Sequence, residues 1–189
     1  MTPMSDVMVL LLTFFMLTST FVKNEPVKVI TPSSVSEIKV PEKGVLNILV
    51  DKTGKIFMSI DNQNTTRDVL ERMTGKFGIS LNAGQTHKFV KDVMWGVPMS
   101  MLTAYLNLSG TEMASELKNH GIPLDSIDGG KSEFQLWVEQ ARNADSDVKL
   151  AIKADENTPY SVVKKVMSEL QDMNENRYYL ITSYKKVEE

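Results

Sequence analysis

The rhythm of apolar and polar positions changes several times along the 189 residues, and each change predicts an element. From Met4 to Val22 (MSDVMVLLLTFFMLTSTFV) nearly every position is apolar, and Asp6 is the only ionisable side chain. Such a run rises roughly 28 Å as a helix, close to a bilayer's hydrocarbon thickness, so residues 1–22 are expected to form a transmembrane helix. A polar stretch punctuated by Pro26, Pro32 and Pro41 follows, read as an extended tether over 23–44 with one short strand near Val27–Ile30. Val45–Val50 and Lys55–Ile60 are β-rich runs flanking Asp51-Lys52-Thr53-Gly54, the signal of a hairpin. Val69, Leu70, Met73 and Phe77 share one face of a helix from about Thr65, with Asn64 or Thr65 as its cap and Gly78 as its stop.

Residues 79–130 are less regular. Pro98 opens a helix over Met99–Leu108, and Thr111–His120 reads as another, stopped by Gly121 and Pro123. Asp128-Gly129-Gly130 marks a turn. Ser132 with Gln135 forms a capping-box pattern for a helix reaching Asn143, with Phe134, Trp137, Val138 and Ala141 on its apolar side. The last third is the most regular. A strand is expected over Val148–Ala154, a helix over Pro159–Met173 with Val162, Val163, Val166, Met167 and Leu170 facing the core, and a strand over Arg177–Thr182. The expected fold is therefore α+β: one N-terminal membrane helix, then a small domain of a mixed sheet with helices packed on one side. In that domain, residues 45–189, the stretch 79–130 reads as a helical insertion.

Composition narrows the function. A net charge of −3 gives no electrostatic reason to expect nucleic acid. There are no cysteines, which excludes disulfides and thiolate metal sites, and the two histidines, His87 and His120, lack a second ligand at metal spacing. No metal and no cofactor is called for. No nucleophile–base pair or phosphate loop can be assembled, so the chain does not read as an enzyme. Asp51-Lys52-Thr53-Gly54 shares its letters with a phosphorylation loop, but the chain is too small for a nucleotide domain and the turn reading wins. Asn64-Thr65-Thr66 and Asn107-Leu108-Ser109 match a glycosylation pattern and carry little weight. Met94 to Met101 is methionine-rich and adaptable, a property of core packing first and of partner surfaces second.

Asp6 carries the strongest physical argument. A charged side chain inside a membrane helix costs about 2.5–3.5 kcal/mol on insertion scales, so such residues line proton or ion paths. Thr13 and Thr20 follow at spacings of seven, which keeps all three within roughly 20° per step on one face. The competing reading puts Asp6 in the helix's first turn, among headgroups, favouring the N-terminal dipole. A signal peptide would need basic residues ahead of the apolar run, and an acid stands there instead.

Met1-Thr2-Pro3-Met4-Ser5-Asp6-Val7, followed by Leu10-Leu11-Leu12-Thr13-Phe14-Phe15-Met16, resembles the opening of the ExbD/TolR family, M-T-P-x-x-D-V and then L-L-L-x-F-F-M. Ile152-Lys153-Ala154-Asp155, Pro159-Tyr160, Val163, Val166-Met167 and Tyr179-Leu180-Ile181-Thr182 are similar to the family's strand–helix–strand ending. The resemblance implies a proton-motive-force transducing subunit of an ExbB/ExbD-type motor, energising outer-membrane transport or envelope maintenance. By the same token Asp6 would carry the proton, Pro3 would shape the helix entrance, and Thr13 and Thr20 would face the pore. The partners implied are ExbB/TolQ-like polytopic subunits, a second copy in a homodimer and a TonB- or TolA-like periplasmic protein. The expected location is the cell inner membrane, single-pass, with the C-terminal domain in the periplasm. Family members carry a short, often basic segment ahead of M-T-P, where this sequence starts, so the positive-inside rule has no residues to read. Two alternatives differ in class. One is a membrane-tethered binding or structural domain without proton conduction; the other is a flagellar-type stator, whose glycan-binding motif is not found.

Overall fold

A computed structural model describes residues 2–18, 26–31, 33–34, 44–127, 130–181 and 183–184. The apolar N-terminal run forms α1 (Thr2–Thr18), and β1 (Ser33–Ser34) is a two-residue strand. The hairpin forms as the pattern predicts. β2 (Val45–Val50) and β3 (Ile56–Ile60) run antiparallel, pairing Val50 with Ile56 and Leu46 with Ile60. Gly54 N–H closes the turn onto Asp51 O at 2.9 Å.

α2 (Gln63–Phe77) begins earlier than its periodicity suggests. Its cap is Asn62, not Asn64 or Thr65: the Asn62 side chain accepts from Asn64 N–H at 3.0 Å, and Asn64 and Thr65 are already helical. The other end stops at Gly78, whose φ of 64° is the left-handed conformation a glycine reaches without a Cβ penalty. α3 (Ala83–Lys91) has no counterpart in the sequence-based expectation, although Asn82 and Gln85 form a reciprocal capping box. The helix expected over Met99–Leu108 starts as a 3₁₀ turn (Met99–Met101) behind Pro98 and continues as α4 (Leu102–Asn107). α5 (Gly110–Leu117) is shorter than the expected Thr111–His120.

α6 (Glu133–Ala144) is capped by Ser132 and Gln135 as the pattern predicts. β4 (Lys149–Ala154), α7 (Tyr160–Asp172) and β5 (Tyr178–Leu180) complete the strand–helix–strand ending, and β6 (Ser183–Tyr184) pairs in parallel with β1. The turn at Asp128-Gly129 lies outside the described residues.

The main sheet has the order β3-β2-β4-β5, with β2 parallel to β4 and β4 parallel to β5, which is the mixed sheet expected. Register places Leu46, Ile48, Val50, Met58, Leu150 and Ile152 on one face, all fully buried. The opposite face is buried at Val45, Leu49, Phe57 and Ala151 and opens at Lys149, so the cover is not confined to one side.

In segment 79–130 the structure favours core packing over a partner surface: Met94, Val97, Met99, Leu102 and Tyr105 belong to the chain's own core. Met101 alone of the apolar side chains singled out there is exposed. The physical reason is the edge of β3. Trp95 and Met58 exchange N–H···O bonds of 2.9 and 2.8 Å, and Ile122 N–H donates to Ile56 O at 2.9 Å. Unpaired strand edges are templates for unwanted pairing, and this segment covers one. Gly96 makes the approach possible: a Cβ there would sit 2.2 Å from Phe57 Cδ1. Above it, Phe89, Trp95 and Trp137 form an aromatic cluster with centroids 5.4–6.1 Å apart, joining α3, the edge segment and α6.

Candidate functional site

The first site is α1. Every side chain described along it, Pro3 through Thr18, is exposed, its large apolar ones from Leu11 at 50 % to Leu17 at 81 %. An apolar helix with no face covered by its own domain is an exposed apolar surface of the kind that marks an interaction site. Asp6 lies beyond the helix's first turn. It makes no hydrogen bond or ion pair with any described residue, and no lysine or arginine occurs along α1. A dipole-satisfying acid belongs in the first turn, because the effect fades beyond it. The position therefore weakens that reading and leaves both carboxylate oxygens without a partner among the described residues.

Thr13 Oγ1 donates to Val9 O and Thr18 Oγ1 donates to Phe14 O at 2.8 Å, so both hydroxyl protons are spent on the helix backbone. Their oxygen lone pairs stay available on the outer surface. Thr13 lies two turns from Asp6 on the same side, as the spacing predicts. Pro3 stands within the first turn, where a missing N–H costs nothing. Thr20 lies outside the described residues, as does the end of the apolar run. Among the described residues no helix is long and apolar enough to cross a membrane. The 17 residues of α1 rise about 25 Å.

The second site is the contact between residues 26–31 and the domain. The expected strand near Val27–Ile30 is absent, because Ile30 is not paired with a neighbouring strand. Instead, Ile30 N–H donates to Asp155 Oδ2 at 3.0 Å, and Ile30 O accepts from Glu156 N–H at 2.8 Å. Asp155 Oδ1 accepts from Asn157 N–H at 3.0 Å. These Asn157 and Ile30 donors hold the Asp155 carboxyl below the usual carboxylate range. Val27 is buried in the main core, while Lys28 and Ile30 face out. Asp155 stands in the I-x-A-D motif, yet its role was not visible in sequence. The run Asp155-Glu156-Asn157-Thr158-Pro159, between the expected strand and helix, holds nothing that names a partner 125 residues away.

A buried acid, Glu133, and a half-buried one, Asp92, occupy neither site. Glu133 Oε1 accepts from Met99 N–H at 3.0 Å and from Trp137 Nε1 at 3.4 Å. Burial pushes its carboxyl above the usual range, against the pull of those two donors. Burial likewise raises Asp92, although Tyr105 Oη donates to it at 3.1 Å. Glu133 thus ties Met99 to α6, while the Tyr105–Asp92 bond braces segment 92–106 internally. Of the histidines, His120 shares a 2.8 Å contact with Glu116 Oε1, and His87 lines a small cleft between α3 and α5.

The family model described as "Biopolymer transport protein ExbD/TolR" matches residues 1–185. Neither the curated proteins nor the solved structures contain a match.

Proposed function

Because this chain belongs to the ExbD/TolR family of biopolymer transport proteins, we propose that it is the proton-motive-force transducing subunit of an ExbB/ExbD-type inner-membrane motor. The carrying observation is Asp6: an acid without a partner, past the first turn of an apolar helix whose whole surface is exposed. Asp6 takes a proton from one aqueous side and releases it to the other, and the change in its charge alters how α1 sits against its surroundings. Pro3 shapes the entrance of that helix. Thr13 and Thr20 offer hydroxyl oxygens along the same stripe, lowering the cost of polar groups or water beside it.

The apolar surface of α1 is covered by lipid and by ExbB/TolQ-like polytopic subunits, with a second copy of this chain alongside. The anchor spans the inner membrane once, residues 23–44 form the connection, and the α+β domain works in the periplasm. There it acts with a TonB- or TolA-like partner to energise outer-membrane transport or to maintain the envelope. The domain itself contributes binding and shape rather than bond-making chemistry.

Asp6→Asn tests this reading. It keeps size and polarity but cannot exchange a proton. The expected result is loss of energy-dependent transport with unchanged abundance and membrane insertion, and partial activity for Asp6→Glu. Full activity of the Asn variant would refute the carrier role and favour a tethered structural domain.

A further inference from the structure

Two clefts meet at Pro26, which lines both. One, of about 790 Å³, includes Lys28, Lys52 and Lys118; the other, of about 380 Å³, includes Lys91. Gly110, Ala114 and Lys118, at spacings of four along α5 and its end, also line them, so the two clefts open on one face of the domain. Charge on this face is sorted by depth. The four lysines are exposed, and their ammoniums make no hydrogen bond or ion pair with a described residue. The carboxylates that line the clefts are recessed and engaged. Asp51 accepts from Thr53 N–H and Lys55 N–H at 2.9 Å, Asp155 from Ile30 N–H and Asn157 N–H at 3.0 Å, and Asp92 from Tyr105 Oη at 3.1 Å. In a chain of net charge −3, every exposed ionisable side chain lining these clefts is basic. Among them stands Ile30, 64 % exposed, more than any other large aliphatic side chain described outside α1.

We propose that this face docks on the anionic phosphate headgroups of the membrane leaflet from which α1 emerges. Docking rests on the reading of α1 as a membrane anchor and adds a lipid class to it. Reach selects the occupant. The apolar run ends at Val22 and Val27 is packed in the domain's core, so an extended chain holds the two at most about 18 Å apart. The lysines around Pro26 are thereby kept beside the bilayer surface. Exposed cations there feel the field of phosphate groups within a Debye length, roughly 8 Å in physiological salt. Each lysine at such a surface raises the docked population roughly fivefold. Ile30 adds an aliphatic side chain that can enter the headgroup boundary, as apolar residues do beside lysines in interfacial segments. Lys28, Lys52, Lys91 and Lys118 come from four separate parts of the chain, so only the folded domain assembles the face.

The chain has no cysteine, so Asn119→Cys, exposed beside Lys118, gives a single labelling site. Full-length protein with a donor dye there is reconstituted in phosphatidylcholine discs carrying an acceptor dye on a trace headgroup. A second set of discs contains roughly one-third phosphatidylglycerol. Energy transfer is expected to rise with the anionic lipid and to fall back in high salt. Lys52→Gln combined with Lys118→Gln should cut the docked-to-undocked ratio roughly twenty-five-fold, two lysines at fivefold each. Lys149→Gln combined with Lys164→Gln removes the same charge from exposed positions outside both clefts and should leave the ratio within about twofold. Transfer indifferent to lipid charge, or equal losses in the two double variants, would overturn the docking face. So would transfer that appears only when polytopic partner subunits are added, since their rim would then be the occupant. A chain that co-floats with neither kind of disc would sink the anchor reading and the docking with it. One that co-floats but ignores lipid charge sinks the docking alone.

Discussion

Gly96→Ala probes whether segment 94–99 is part of the domain's core or an accessory to it. The added methyl would lie 2.2 Å from Phe57 Cδ1, 2.9 Å from Cε1 and 3.1 Å from Ile56 O. The first distance is far inside van der Waals contact. Phe57 has no exposed surface into which the ring could swing. Ile56 O cannot retreat either, since it holds Ile122 N–H. Overpacking a filled site costs about 1–3 kcal/mol, and two immobile neighbours put this site at about 3. For a protein of this size that corresponds to a fall in Tm of roughly 6–12 °C. Gly75→Ala is the matched control. It adds the same methyl within α2, where nothing lies within 4 Å, and should stabilise by about 0.5–1 kcal/mol through helix propensity. Thermal and urea unfolding followed by circular dichroism would read both. A Gly96→Ala protein melting within about 2 °C of the parent would show that the segment yields easily and is not packed as described.

Glu133→Gln addresses pH. The raised carboxyl means the folded state binds this proton more tightly than the unfolded one, so its stabilising effect is complete below the ordinary glutamate range and is lost as pH rises through the folded value. The variant should flatten the decline in stability from mildly acidic to neutral pH, measured as urea midpoint against pH; an unchanged slope would contradict the burial argument. Arg142→Lys should lose about 1 kcal/mol. The guanidinium makes paired bonds of 2.9 and 2.7 Å to Glu175 and also bonds Val148 O, a geometry that a single ammonium cannot reproduce. Midpoints for Arg142→Lys and Arg142→Ala that both equal the parent's would mean the pair is a solvated surface contact.

Legibility in the sequence followed the range of the interactions. The ending β4–α7–β5 was readable because Val162, Val166 and Leu170 repeat at helical spacing and the flanking strands are short apolar runs. Gly78 and the Ser132–Gln135 box were readable because each acts within four residues. The start of α2 was misplaced because Asp61-Asn62-Gln63-Asn64-Thr65 offers several side chains able to cap, and only backbone geometry selects Asn62. α3 went unseen because its run, AGQTHKFVK, has few apolar positions and a glycine near its start. The role of 79–130 could not be read locally at all. Trp95 finds Met58 and Ile122 finds Ile56 across several intervening helices, and no periodicity encodes such pairings. Asp6 stood out for the opposite reason, as a single ionisable side chain in an apolar run. The Asp155–Ile30 clasp joins residues from opposite ends of the chain and left no trace in either neighbourhood.

The cluster of Phe89, Trp95 and Trp137 has a practical corollary. The chain has two tryptophans, and both stand there, with centroids 5.4 Å apart. Ultraviolet emission excited at the red edge therefore originates from one spot, where α3, the β3 edge and α6 meet. Peeling segment 94–99 away from α6 would change the colour and intensity of that emission without any label. Events at α1 and along the connection, which carry no tryptophan, would leave it dark to the observer. The protein thus brings its own optical gauge for the domain's integrity and none for α1.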